Sequence, residues 1–98
     1  MKGHNYFVYI TTNPSKTVLY VGVTNDLQVR IEQHKANRGR PETFAGRYYC
    51  YKLLYFERHT YVQHAIEREK EIKIMSRKDK LQLIKAENPV LMFLDVWG

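Results

Sequence analysis

The chain has 98 residues, which predicts one domain spanning residues 1–98, because a second hydrophobic core would have too few residues. Hydrophobic residues make up 44% of the chain and charged residues 27%, a composition that excludes intrinsic disorder. Lysine and arginine outnumber aspartate and glutamate by 16 to 10, and the resulting net charge of +6 favours a polyanionic partner such as nucleic acid.

The apolar stretches are much shorter than the roughly 20 residues that a membrane helix requires. Residues 1–5 do not begin a secretory signal, and the single cysteine, Cys50, cannot form an internal disulfide. We therefore expect a cytoplasmic protein that does not enter a membrane.

A β-hairpin is predicted at the start of the chain. Residues 6–11 and 18–24 are rich in β-branched and aromatic side chains, and a polar, turn-forming segment separates them. Alternation along the strands places Tyr9, Tyr20 and Gly22 on one face, so we expect the two phenols to meet. The glycine is expected to let a ligand approach the backbone. The alternative is a pair of aromatic packing residues.

A first helix is predicted over residues 26–36, with Thr24 or Asn25 as its cap. Arg30 and His34 lie one turn apart on it. A guanidinium and an imidazole in this relation can together bind an anion such as a phosphate. The alternative is a solvated helix face with an incidental histidine.

Residues 37–49 predict a long loop that is both basic and aromatic. This mixture suits a segment that grips a phosphate backbone and stacks on unpaired bases. The alternative is a solvated loop whose aromatic side chains return to the core. The basic members are Arg38, Arg40 and Arg47, and the aromatic members are Phe44, Tyr48 and Tyr49.

A third strand is predicted over residues 50–56, and a second helix over residues 60–75 with Thr60 as its cap. A third helix is predicted to begin at Ser76, because an acidic residue follows three positions later, and to end by Asn88. The expected fold class is α/β (α+β), a small three-stranded antiparallel sheet packed with helices in the order β-β-α-β-α-α.

The second helix has a carboxylate where an apolar side chain is expected. On a helical wheel, Glu69 lies at the centre of a stripe formed by Val62, Ala65, Ile66 and Ile72. An unpaired buried charge is costly, so this glutamate either forms a structural salt bridge or serves a metal or a cleft. The wheel leaves both interpretations open.

Together these residues resemble the signature of the GIY-YIG nuclease superfamily. The family's Gly-Ile-Tyr is represented by Phe7-Val8-Tyr9, and its Tyr-Ile-Gly by Tyr20-Val21-Gly22. Ten residues after the second tyrosine comes Arg30, and four residues later comes His34. Residues 65–73 are similar to the family's metal-binding helix, so the chain resembles a small stand-alone member.

The resemblance implies a metal-dependent endonuclease that hydrolyses DNA phosphodiester bonds with Mg²⁺ or Mn²⁺, on structured DNA in repair or recombination. Tyr9 or Tyr20 would orient or deprotonate the attacking water, and Arg30 would stabilise charge on the scissile phosphate. His34 would assist the proton network or hold a phosphate, and Glu69 would anchor the metal.

DNA is the expected partner, with RNA left open as a substrate. Asn88 resembles the family's terminal asparagine, but its distance in sequence from Glu69 leaves it outside the expected catalytic set. The alternative function is a nucleic-acid-binding or protein-binding module with weak or no catalysis. The expected nucleic-acid-binding residues are Arg38, Arg40, Arg47 and Lys73.

Overall fold

The computed structural model describes residues 5–96, and residues 1–4, which contribute to the expectation about a secretory signal, lie outside them. The strands are β1 (Tyr6–Thr12), β2 (Leu19–Thr24) and β3 (Lys52–His59). The helices are α1 (Leu27–Ala36), α2 (Phe44–Arg47), α3 (Val62–Lys73) and α4 (Arg77–Glu87). The strands form one antiparallel sheet in the order β2-β1-β3, which confirms the predicted fold class.

The two faces of the sheet carry different clusters, because side chains alternate along the central strand β1. Val8 and Ile10 point to the face where residues of α3 and α4 complete the core. Tyr9 points to the other face and packs with residues of α1 and with the half-buried Tyr20. The strand β2 pairs with β1 alone and therefore forms one edge of the sheet.

The helix caps agree with the sequence prediction at one helix and differ at two. Ser76 caps α4 as predicted, because its hydroxyl accepts a hydrogen bond from the backbone N–H of Asp79. At α1 the cap is Asp26 and neither of the two preceding residues, since its extended backbone lets the carboxylate reach the first turn. Thr60 does not cap α3, because β3 stays paired to its end and the helix begins only after Tyr61.

The predicted long loop contains the one-turn helix α2. The Thr43 hydroxyl accepts from the backbone N–H of Gly46 at 3.0 Å, which caps this turn. At its other end, the N–H of Cys50 donates to the carbonyl of Ala45 at 2.8 Å. The segment is thus held by its own backbone hydrogen bonds. Within residues 5–96, none of the helices combines the length and the apolar character that crossing a bilayer demands.

Candidate active site

A chain of hydrogen bonds joins Tyr9 of β1 to two side chains of α1. The Tyr9 hydroxyl lies 2.8 Å from Nε2 of His34, and Nε of Arg30 donates to the same oxygen at 3.2 Å. Tyr9 and His34 are both buried, whereas Arg30 is half-buried. The one-turn spacing of Arg30 and His34 therefore lets both reach a single phenol oxygen.

Burial determines the protonation states of His34 and Tyr9 in this set of hydrogen bonds. It lowers the pKa of His34 to about 4, with help from the charge of Arg30, so the imidazole is neutral at pH 7. It also raises the pKa of Tyr9 to about 12, although Arg30 opposes this shift. Arginine has only donors, so the Tyr9 oxygen accepts from Arg30, and of its two partners only Nε2 of His34 can take the Tyr9 proton.

Gly22 leaves space for the side chain of Tyr9 and not for a ligand. The two residues are opposite each other in the β1–β2 ladder, and the phenol lies directly over the glycine. A Cβ at position 22 would lie 2.4 Å from the Tyr9 hydroxyl oxygen. The expectation that a ligand approaches the backbone here is therefore wrong, because the side chain of Tyr9 fills that space.

Tyr20 lies at the outer side of the same cluster. Its ring centroid is 5.4 Å from that of His34 and 6.3 Å from that of Tyr9, so the two phenols meet as the alternation predicts. Burial disfavours the charge of Arg30, but the hydroxyls of Tyr9 and Tyr20 outweigh it and raise the guanidinium pKa. Of these two phenols, Tyr9 is the one that accepts a hydrogen bond from Arg30.

The sequence prediction did not single out Gln33, which also holds the site. Its Oε1 accepts from Nη1 of Arg30 at 3.0 Å. The spacing of three residues along a helix is the signal that could have indicated this pair. Gln33 therefore orients the guanidinium from the solvent side.

Glu69 belongs to α3, on the opposite face of the sheet from α1. Its side chain is 14% exposed, and its Oε2 lies 3.0 Å from Nζ of Lys73. Its negative charge contributes to the raised pKa of Tyr9, so the carboxylate lies within electrostatic reach of that phenol. Val62 and Ile66 are exposed, which makes the predicted stripe only partly buried and places Glu69 at its edge.

Glu69 can hold a divalent cation only together with other ligands. Within residues 5–96, no three His, Cys, Asp or Glu side chains lie close enough together to bind a metal. Mg²⁺ tolerates a single carboxylate because it retains several waters and takes further ligands from the substrate. Half of the Lys73 side chain is exposed, so its ammonium can move away when another cation binds. The donor set thus fits a metal shared with substrate.

The three arginines of the basic segment are exposed, and two of them are partly engaged by the protein itself. Arg38 donates from Nη1 to the carbonyl of Lys35 at 2.6 Å, and Arg47 donates from Nη2 to the carbonyl of Pro41 at 3.0 Å. Each guanidinium has five N–H groups, so donors remain for a partner on Arg38, Arg40 and Arg47.

The aromatic residues of the same segment do not return to the core. Phe44, Tyr48 and Tyr49 are 51%, 43% and 50% exposed. The ring of Phe44 stacks on Tyr20 with centroids 6.2 Å apart, and its other neighbour, Tyr48, lies 4.7 Å away. An exposed aromatic surface therefore continues outward from the site.

Asn88 ties the carboxyl-terminal segment to β3. Its Nδ2 donates to the carbonyls of Leu54 and Met92 at 2.9 Å each, and its Oδ1 accepts from the N–H of Met92 at 2.9 Å. Backbone groups therefore pair with both the oxygen and the nitrogen of this side-chain amide. This use agrees with leaving Asn88 outside the catalytic set.

The buried neutral imidazole of His34 predicts a loss of stability in acid. Its pKa is about 4 in the folded protein against an ordinary 6.5, so the unfolded chain binds the proton more readily between these values. The free energy of unfolding should fall by about 3 kcal/mol as the pH drops from about 7.5 to 4, and His34 contributes almost no pH dependence above about 7.5, where it is deprotonated in both states. Urea titrations at several pH values measure this for the parent and for His34→Gln, whose amide still accepts from Tyr9.

The difference in unfolding free energy between the parent and His34→Gln should change across this pH range. His64→Gln, an exposed histidine on α3, serves as the control and should follow the parent. If the free energy of unfolding varies with pH in the same way in the parent and in His34→Gln, the pKa of His34 is not lowered in the folded protein.

Comparison with known proteins places this geometry in a family. A model described as the GIY-YIG catalytic domain matches residues 5–82. The UPF0213 proteins of Staphylococcus aureus strains Mu3 and N315 are each 37% identical over 81 residues, covering 83% of this chain and 95% of the relative. The solution NMR structure of a UPF0213 protein from Bacillus halodurans is 29% identical, covers 88% of each chain and has a TM-score of 0.56. The matched residues include the hairpin, α1 and α3, and the chain therefore belongs to the GIY-YIG catalytic domain family.

Proposed function

We propose that the chain is a metal-dependent endonuclease that hydrolyses DNA phosphodiester bonds, with structured DNA in repair or recombination as its substrate. The observation that carries this proposal is the bonded set Arg30, Tyr9 and His34, with Tyr20 at its outer side, in a member of this family. Such a set can bind a phosphate and handle a proton at adjacent positions.

Arg30 is the residue that we assign to the scissile phosphate. Its Nε is bonded to Tyr9 and its Nη1 to Gln33, which fixes the plane of the guanidinium. The remaining N–H groups can donate to a phosphate oxygen, where negative charge grows during attack. Because the cation is already oriented, little reorganisation is needed when the substrate reacts.

The two phenols take different roles. Tyr9 is buried with both of its hydrogen bonds used, and its pKa of about 12 keeps it neutral at physiological pH. It therefore positions Arg30 and His34. Tyr20 is half-buried beside Arg30, so we assign to its hydroxyl the contact with the attacking water.

Glu69 is the residue that we assign to the metal. When bound, Mg²⁺ or Mn²⁺ supplies positive charge against an oxygen of the substrate phosphate. Lys73, which now pairs with Glu69, would then be free to pair with a neighbouring phosphate. Such an exchange would let residues 69–73 of α3 bind the metal and a phosphate of the nucleic acid at the same time.

A screen of substrates tests the proposal. Purified protein is incubated with single-stranded, duplex, flap and branched DNA, and with RNA of the same sequences, in Mg²⁺, Mn²⁺ or EDTA. We expect at least one DNA to be cleaved with metal and none with EDTA. Binding without any product would instead support the non-catalytic module, and cleavage confined to RNA would overturn the assignment of DNA.

Replacing Arg38, Arg40 and Arg47 together by alanine should weaken binding to DNA of every sequence, because we assign these exposed side chains to phosphates and not to bases. The slope of log affinity against log salt should flatten by about 0.9 for each duplex phosphate that is no longer neutralised. Fluorescence anisotropy in EDTA measures this slope without cleavage.

A variant with the same change of net charge serves as the control for this triple replacement. The three exposed lysines replaced in it are Lys70, Lys78 and Lys85. The control should keep the slope of the parent. An equal slope for the parent and the arginine variant would remove the basic segment from the interface.

A further inference from the structure

Two hollows adjoin along the outer edge of β2. The first is lined by Leu19, Tyr20, Val21, Phe44, Lys73 and Lys80. The second is lined by residues 17–19 together with Arg77 and Lys80. They share Leu19 and Lys80 as lining residues, and we call the two together the β2 groove, which runs from Tyr20 to Thr17.

The charge of the β2 groove is entirely positive among the described residues that line it. Lys73 ends α3, and Arg77 and Lys80 lie in the first turns of α4, so three cations follow one another along the groove. The ammonium of Lys73 is paired with Glu69, whereas Arg77 and Lys80 have no carboxylate partner among the ion pairs of the described residues. Nη2 of Arg77 donates to the carbonyl of Lys16 at 3.2 Å, which fixes this guanidinium at the far end. Lys80 is half-buried, so its stem is held against the wall.

The position of β2 adds polar backbone to this groove. An edge strand presents N–H and C=O groups that no neighbouring strand pairs, and these groups lie along the outer side of β2. An exposed edge strand can also pair with the backbone of a peptide in extended conformation. The three cations favour a polyanion over a neutral peptide at this edge.

The dimensions suit a nucleic acid strand. Thr17 and Val18 precede β2, so the three residue steps from Tyr20 to Thr17 span at most roughly 10 Å, the length of fully extended chain. Because the backbone winds around the duplex axis, successive phosphates of a strand lie farther apart than the rise of about 3.4 Å per nucleotide along that axis, so fewer than three phosphates pass along this length. The groove thus offers at least one cation to each phosphate along it.

We propose that the β2 groove carries the phosphate backbone of the substrate strand on one side of the scissile bond. The strand passes Lys73, Lys80 and Arg77 in turn as it leaves Tyr20. This path rests on the proposed function for its starting point at Tyr20, but binding along it does not require cleavage. Lys78 and Lys85 of α4 line a third hollow, which shares only Arg77 with the β2 groove, and we assign them no phosphate of this path.

The test compares two double variants on the same helix. Arg77→Gln with Lys80→Gln removes two cations from the groove, and Lys78→Gln with Lys85→Gln removes two from outside it. Affinity for labelled DNA is measured by anisotropy in EDTA over a range of salt, and thermal melting confirms that both variants fold. We expect the groove variant to lose on the order of tenfold in affinity and about 1.8 in salt slope, and the control variant to stay within about twofold of the parent.

A chemical scan of the substrate locates the contact. DNA with neutral methylphosphonates at successive positions should bind the parent less well when the neutral groups lie on one side of the scissile position. The groove variant should lose this sensitivity, since an interaction already removed cannot be removed again. Equal effects on the parent and the groove variant would overturn the proposed path.

The remaining outcomes distinguish a failure of the proposed DNA path along the groove from a failure of the proposed endonuclease function. Equal losses in the two double variants would mean that net charge alone matters, and tighter binding of polyglutamate than of DNA would assign the groove to an acidic peptide. Either result overturns the groove even when the parent cleaves DNA. If the parent binds DNA along the groove and cleaves nothing, the proposed DNA path stands and the proposed endonuclease function is wrong.

Discussion

Glutamine in place of Glu69 should abolish metal-dependent cleavage and leave the fold intact. The amide keeps the size of a side chain that is only 14% exposed, but it loses the charge that holds a divalent cation. We expect the single-turnover rate at saturating protein to fall on the order of a hundredfold or more.

A matched variant separates this effect from a general loss of charge. Glu67 is exposed on the same helix, and Glu67→Gln makes the same change on the other side of it. Glu67→Gln should cleave at the rate of the parent. If Glu69→Gln also cleaves at that rate and only melts lower without metal, Glu69 serves as the partner of Lys73 and nothing more.

Removing the guanidinium of Arg30 should slow cleavage far more than it weakens binding. Its interaction with the phosphate is strongest in the transition state, so by analogy with the removal of oxyanion donors Arg30→Ala should cost on the order of a hundredfold or more in rate. Tyr20→Phe removes a single hydroxyl and should likewise slow cleavage with little effect on affinity or stability. Single-turnover rates and anisotropy on one substrate measure the two quantities separately.

A second measurement checks that Arg30 acts where the structure places it. Its charge helps to lower the pKa of His34, so Arg30→Ala should raise that pKa from about 4, as an NMR titration of the imidazole can record. Arg30→Lys keeps the charge and loses the paired donors, and we expect intermediate cleavage from it. Rates unchanged in Arg30→Ala and Tyr20→Phe would remove both residues from the chemistry, whereas a simple binder would lose affinity in Arg30→Ala.

The features predicted from sequence are those that local periodicity determines. Alternation in two strands joined by a turn is enough to bring Tyr9 and Tyr20 together. The spacing of Arg30 and His34 on one helix is enough to place both on one side of it. Ser76 begins a helix because its hydroxyl satisfies an N–H of the next turn.

The features that were missed depend on which elements pack together. The close approach of Tyr9 to Gly22 requires the pairing register of β1 and β2, which the pattern of either strand alone does not contain. The helix α3 begins later than predicted because β3 stays paired through His59. The wheel placed Glu69 at the centre of an apolar stripe, but it could not show that Val62 and Ile66 stay exposed in the folded chain.

We propose that this chain itself hydrolyses phosphodiester bonds at the site formed by Tyr9, Tyr20, Arg30, His34 and Glu69. The most direct measurement is a single-turnover time course on end-labelled DNA, with the parent and Glu69→Gln purified side by side, in Mg²⁺ or Mn²⁺ and again after EDTA. We expect product from the parent only with metal, and on the order of a hundredfold less from Glu69→Gln. Equal product from both proteins, or none from the parent on any substrate that it binds, would show that this site does not hydrolyse phosphodiester bonds.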